Sequence, residues 1–194
     1  MNIFALDNDP VKCAEMHVDK HVVKMILEYC QLLSTAHRVI DGEEIIGKTK
    51  TGRNVKRWIL QDERNDILYS ATHVNHPSAV WCRQNENNYS WLYRLLAELC
   101  KEYTYRYGKV HKCQEIGLVD KLAIVPYGLE NKPLTQVTPA MPDHCKVEGD
   151  SIQSYRNYYL MEKSRMWSWS GKINSREMPN WLQQACEKLS YGYA

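Results

Sequence analysis

The chain has 194 residues, 44% of them apolar and 25% charged, with a formal net charge of +2. That length buries a real core within one compact domain, and the composition excludes repeat and low-complexity architectures. No run approaches the roughly 18 apolar residues that span a bilayer, the opening MNIFALDNDP lacks the basic n-region of a signal peptide, and seven scattered cysteines without a CxxC pair fit reduced thiols in a cytosol.

In chain order, Asp9-Pro10 opens a first helix, with Pro10 suited to the first helical position. It runs to about Arg38, and Asp41-Gly42 marks a turn. Residues 43–57 read as a basic loop or short hairpin with glycines at 47 and 52. A second helix covers about 58–70, and Asn75-His76-Pro77 starts a helix of about 30 residues that ends at Tyr107 with Gly108 as its stop. The buried seam of that helix is Trp81, Asn88, Trp91, Leu92, Leu95, Leu99 and Tyr103. A short helix near 114–124 stops before Pro126, and Gly128, Pro133, Pro139, Pro142 and Gly149 make 126–149 irregular. Asp150 or Ser151 caps a helix over about 152–165. After Trp167 and Trp169, Pro179 begins a terminal helix bearing Trp181, Leu182, Ala185 and Leu189. The expectation is an all-α, single-domain protein covering 1–194, with a long central helix near its N-terminus.

That first helix carries the chemistry. His17, His21, Lys24, Glu28, Gln31 and Thr35 fall within a sector of about 80° at about 100° per residue, on a helix otherwise rich in Val, Ile, Leu and Met. A narrow polar face on an apolar helix predicts a central element lining a cleft. Imidazoles, an amine and a carboxylate there suit proton transfer, nucleophilic attack or anion binding. Glu28 is the acidic catalyst of choice, and Lys24 is an amine nucleophile, the cation that holds Glu28 ionised, or its i, i+4 ion-pair partner. His17, His21, His73 and His76 also offer a four-imidazole metal set, although HExxH is absent and Lys24 repels a cation; hydrogen-bonded histidines in a buried polar network are a third reading. Asp19 lies on the apolar side and organises structure. His76 precedes Pro77 at a helix start, where it either receives phosphate or caps the helix.

Three stretches are basic: Lys48–Arg57 carries five basic residues and no acid, while Lys101–Lys112 and Tyr155–Lys172 interleave basic residues with aromatics. Cations for phosphate and rings for base stacking together suit nucleic acid; core aromatics with solvated cations are the alternative. The candidate phosphate ligands are Lys20, Arg38, Lys48, Lys50, Arg53, Lys56, Arg57, His73, His76, Lys109 and His111.

The opening NIFALDNDPVKCAEMHV, the basic glycine-containing loop, the run from His76 through YSWLYRLLAELCKEYTYRYGK, and the tail with Pro179 and Trp181 resemble the pyrimidine-dimer DNA glycosylases of bacteriophages, the endonuclease V type. The likeness covers most of the chain at low identity, with 113–150 as an elaboration. It implies an all-α fold that kinks duplex DNA and extrudes a nucleotide. It further implies an α-amine that attacks the sugar C1′, assisted by a helix glutamate, giving a Schiff base and then β-elimination. An α-amine suits the task because it titrates at about 7.7–8.0, well below lysine. Two departures stand out. Asn2 is larger than the residues that permit removal of the initiator Met, and the family's glutamate aligns with Lys24, leaving Glu28 one turn later. His17 matches the family's helix histidine.

The sequence therefore predicts a base-excision N-glycosylase, with or without strand cleavage, acting on a damaged or modified pyrimidine in double-stranded DNA. Met1, His17, His21, Lys24 and Glu28 form its catalytic set. No cofactor or metal is assigned, no membrane partner is expected, and a monomer in the cytoplasm (the host's, if phage-encoded) is the expected state. The alternatives are a histidine-based metal-dependent phosphohydrolase or nuclease, and a non-catalytic nucleic-acid or protein binder.

Overall fold

The computed structural model describes residues 1–191. It is mostly helical, and none of the described helices is long and apolar enough to cross a membrane. Asp9 accepts a hydrogen bond from the Val11 amide and Pro10 opens α1 (Pro10–Met16). The chain then breaks at His17-Val18 and restarts as α2 (Asp19–Asp41). One continuous helix was expected. The break arises because the Glu15 and His17 carbonyls leave the helical ladder and accept from the buried Arg106 guanidinium, at 2.9 Å each. Arg106 lies in α5 (Glu86–Tyr107), far along the chain, so helical periodicity does not register it.

After α2 the basic segment folds as an antiparallel hairpin, β1 (Glu43–Lys48) against β2 (Asn54–Ile59), in register Glu43 to Ile59 through Lys48 to Asn54. The helix expected over 58–70 reduces to one turn, α3 (Arg64–Ile67). Here Arg38 intervenes, donating to the carbonyls of Trp58, Asn65, Leu68 and Tyr69 and to Asn65 Oδ1. Those carbonyls serve the guanidinium instead of a helical ladder.

The helix expected from His76 to Tyr107 is two: α4 (Pro77–Cys82) and α5. Asn85 is the reason for the division, because its side chain accepts from the Asn88 amide as a new N-cap. The stop at Gly108 is as expected, with φ 64 in the left-handed region. The seam is also as expected: Trp81, Asn88, Trp91, Leu92, Leu95 and Leu99 are buried and Tyr103 is half-buried. The segment near 114–124 forms two single turns, α6 (Lys112–Glu115) and α7 (Leu118–Lys121), divided at Gly117 with φ 73. Residues 126–149 are irregular apart from a 3-10 turn at Asp143–Cys145. Asp150 caps α8 (Ser151–Glu162) through the Gln153 amide, and α9 (Asn180–Tyr191) closes the described chain.

The core forms where α2 crosses α5, with α1, α4 and α8 around them. The first residues fill its centre: Ile3, Phe4, Ala5 and Leu6 are all buried. Beside them runs an ionic chain. Arg106 pairs with Glu102 and Asp19, and Arg176 pairs with Glu102 in turn. Asp19 also accepts from Ser168, Ser170 and the Gly171 amide, which is the organising role its apolar-side position predicted.

Candidate functional site

Burying an apolar N-terminal segment fixes where its first atom emerges. The Asn2 side chain accepts from the Tyr155 hydroxyl at 2.8 Å and donates to the Ala140 carbonyl at 2.7 Å. The Phe4 amide donates to the Tyr29 hydroxyl at 3.1 Å. Held in this way, the Met1 amine lies 3.9 Å from Glu28 Oε2, while Lys24 Nζ reaches Glu28 Oε1 at 3.2 Å. One carboxylate on α2 thus stands between an α-amine and a lysine.

This pair lines a cavity of about 410 Å³ that also takes in Lys20, His21, Tyr158 and Lys163. Lys20, Lys24, Lys163 and the amine face a single carboxylate, so the cavity is cationic and suited to an anion. Its apolar wall is a ring stack. Phe4 stacks on His21 at a 4.1 Å centroid distance and lies parallel to Tyr158 at 6.0 Å. Lys163 lies over the Tyr158 ring at 4.3 Å. A smaller cavity of about 250 Å³ near Trp81 and Trp91 offers the carboxylates of Asp7 and Asp150 but no cation.

His21 is a neutral hydrogen-bonding group here. Burial, reinforced by His17, Lys163 and Lys24, pushes its pKa down to about 2. His21 Nδ1 is hydrogen-bonded to the Tyr159 hydroxyl at 2.6 Å. His76, the N-cap of α4, accepts the Ser78 amide on Nδ1, which leaves its proton on Nε2. Its pKa is lowered, first by burial and then by the Met1 amine and His73, with Glu28 opposing. His76 therefore lies within electrostatic reach of the amine–glutamate pair. Thr35 exchanges hydrogen bonds with the Thr72 backbone, which lays the 70–76 segment along the polar face of α2.

Several expected site residues have other roles. His17 lies off α2 and outside the cavity, fully buried, with Nδ1–H donating to the Cys13 carbonyl at 2.6 Å and Nε2 facing the Tyr29 hydroxyl at 3.4 Å. It is a link that holds α1 to the N-terminal segment, because the break at Val18 turns it into the core. Arg38 is buried with its donors spent on the chain itself, which removes it from the phosphate ligands. His111 caps α6 through the Cys113 amide, and neither it nor Lys109 lines the cavity. Lys48, Lys50, Arg53, Lys56 and Arg57 lie on the hairpin, with Lys56 paired to Glu44. From Glu28 to the C-terminal end of α2 is about 20 Å at 1.5 Å per residue. His73 is exposed beside Thr72, with φ 50.

The four histidines proposed as a metal set are not gathered into one. Among the described residues, a group of three metal-ligating side chains with donor atoms within 4.8 Å of one another is formed by His144, Cys145 and Glu162. Phe4, Asn2 and Tyr155 escaped notice as site-forming residues; the apolar run IFAL at the chain start is the signal that points to a buried N-terminus. Tyr158 and Lys163 lie in the third basic–aromatic stretch, which flagged them without giving them a place. Comparison of the chain with protein-family models, curated proteins and solved structures gave no match.

Proposed function

We propose that this protein is a DNA-acting N-glycosylase of the endonuclease V type, removing a damaged or modified pyrimidine through an amine nucleophile assisted by Glu28. The observation that carries the reading is the 3.9 Å approach of the Met1 amine to Glu28 in a cationic cavity walled by aromatic rings. A nitrogen nucleophile and a carboxylate side by side are what attack at a sugar C1′ requires. The carboxylate takes a proton from the Met1 ammonium, freeing the neutral amine to attack, or stabilises positive charge that develops at C1′. The rings of Phe4 and Tyr158 offer an apolar face to a base taken out of the stack, and Lys20, Lys24 and Lys163 meet its phosphates. His21 contributes a neutral imidazole and His76 a neutral Nε2–H donor. The hairpin cations bind backbone further along the duplex, where they supply affinity without sequence preference.

Borohydride trapping on duplex oligonucleotides with a pyrimidine dimer, an abasic site or no lesion tests this, with mass spectrometry of the adduct. A covalent adduct at Met1 on lesion DNA supports the amine mechanism as drawn; an adduct at Lys24 keeps the chemistry and reassigns the nucleophile. Base release without an adduct replaces the amine by water. Neither adduct nor base release, with salt-sensitive binding intact, overturns the catalytic reading in favour of a binding module.

A further inference from the structure

The irregular segment 142–147 lies on one face of α8, and the bonds that hold it there bring a histidine, a cysteine and a glutamate together. Ser154 Oγ accepts the Val147 amide at 2.8 Å, and Asn157 Nδ2 donates to the Cys145 carbonyl at 3.2 Å. One turn further along α8, the Cys145 thiol meets Met161 Sδ at 3.9 Å. Beside it, His144 Nε2 and Glu162 Oε1 are 2.8 Å apart. The donor atoms of His144, Cys145 and Glu162 all fall within 4.8 Å of one another.

We propose that His144, Cys145 and Glu162 form a binding site for a borderline-soft divalent cation of the zinc type. One nitrogen, one sulfur and one oxygen donor are a set that zinc accepts, and a thiolate disfavours magnesium and calcium. Two of the three ligands are solvent-exposed, which gives the ion an entry path, while the thiol is held beneath them. On binding, the Cys145 thiol releases its proton to solvent and the His144–Glu162 hydrogen bond opens to admit the ion, with water as the fourth ligand. The consequence is structural. A bound ion cross-links the 142–147 segment to the end of α8, and Ala140 and Lys163, the chain neighbours on either side, both line the cationic cavity. The site stands independently of the glycosylase reading.

Cobalt titration of the intact, reduced protein tests it, with a phosphine reductant that leaves the metal free. The expected result is one cobalt per chain, with a thiolate-to-metal charge-transfer band and the intense visible bands of a four-coordinate ion, both bleached by zinc. Cys145→Ser loses the charge-transfer band. His144→Ala and Glu162→Gln, at exposed positions that spare the fold, each weaken cobalt binding at least tenfold. A zinc-dependent rise in melting temperature in the parent, absent in these two variants, supports the cross-link. No charge-transfer band, or a band that survives in Cys145→Ser, overturns the proposal. Should Cys145→Ser fail to fold, binding unchanged in both surface variants overturns it equally.

Discussion

His17 gives the sharpest stability prediction, because it is a fully buried imidazole whose hydrogen-bonding company is one carbonyl and one phenol. Burial, opposed by the Cys13 carbonyl, lowers its pKa from 6.5 to about 4. The native state therefore holds it neutral while the unfolded chain binds a proton below pH 6.5. Its contribution to stability is complete above that value and is lost as pH falls toward about 4. A depression of about 2.5 pH units at about 1.36 kcal/mol per unit makes the loss about 3 kcal/mol. The perturbation is His17→Gln, which keeps an amide able to hydrogen-bond but removes the titration. Urea unfolding of parent and variant, followed by tryptophan fluorescence at a series of pH values, gives the difference in unfolding free energy. That difference shrinks by about 3 kcal/mol between pH 7 and pH 4, with a limiting slope of about one proton. His37, whose pKa is also lowered, remains in both proteins and cancels, and His21, held down to about 2 chiefly by burial, stays neutral across the window. A difference that stays constant across the window would refute the account of His17 as a neutral core residue.

Four further outcomes follow from the geometry. Glu28→Gln keeps the fold, being partly exposed, but lowers base release by about 100-fold or more, as loss of an acid–base group does; single-turnover assays on lesion DNA check it, and unchanged rates exclude Glu28 from the chemistry. Arg38→Leu costs about 3–5 kcal/mol in urea because it strands four carbonyls, and leaves the salt dependence of DNA binding unchanged. Lys48→Ala with Arg53→Ala does the reverse, sparing stability and reducing the slope of log K against log salt by about 0.9 for each phosphate no longer neutralised. Asn85→Ala removes the cap that starts α5 and costs about 1 kcal/mol in the same urea assay.

How far the sequence was legible depended on the range of the interaction responsible. Local signals read correctly: Pro10 after Asp9, Gly108 after Tyr107, Asp150 before α8, and the apolar seam of α5 all follow from neighbours within a turn. The divisions at Asn85 and Gly117 are local signals that periodicity passed over, whereas three other errors share a long-range cause. The break before Asp19, the missing helix over 58–70 and the burial of Arg38 all come from guanidinium groups that take up carbonyls from other parts of the chain. Periodicity has no means of weighing such a bond, because partner and carbonyl lie 20 to 91 residues apart.

The candidate site divides along the same line. By itself the sequence determined that Lys24 and Glu28 share one face of a central helix with His21, since their spacing is a matter of helical pitch. It also determined that basic residues cluster on the hairpin and that the Tyr155–Lys172 stretch mixes basic and aromatic residues. Only the tertiary structure decided that the chain's first residues run through the core and deliver the Met1 amine to Glu28, and that His17, drawn from the same stripe, points away. The physical reason is that a side chain's face is set by its own helix, whereas its partner across a cleft is set by which buried segment fills the space between helices.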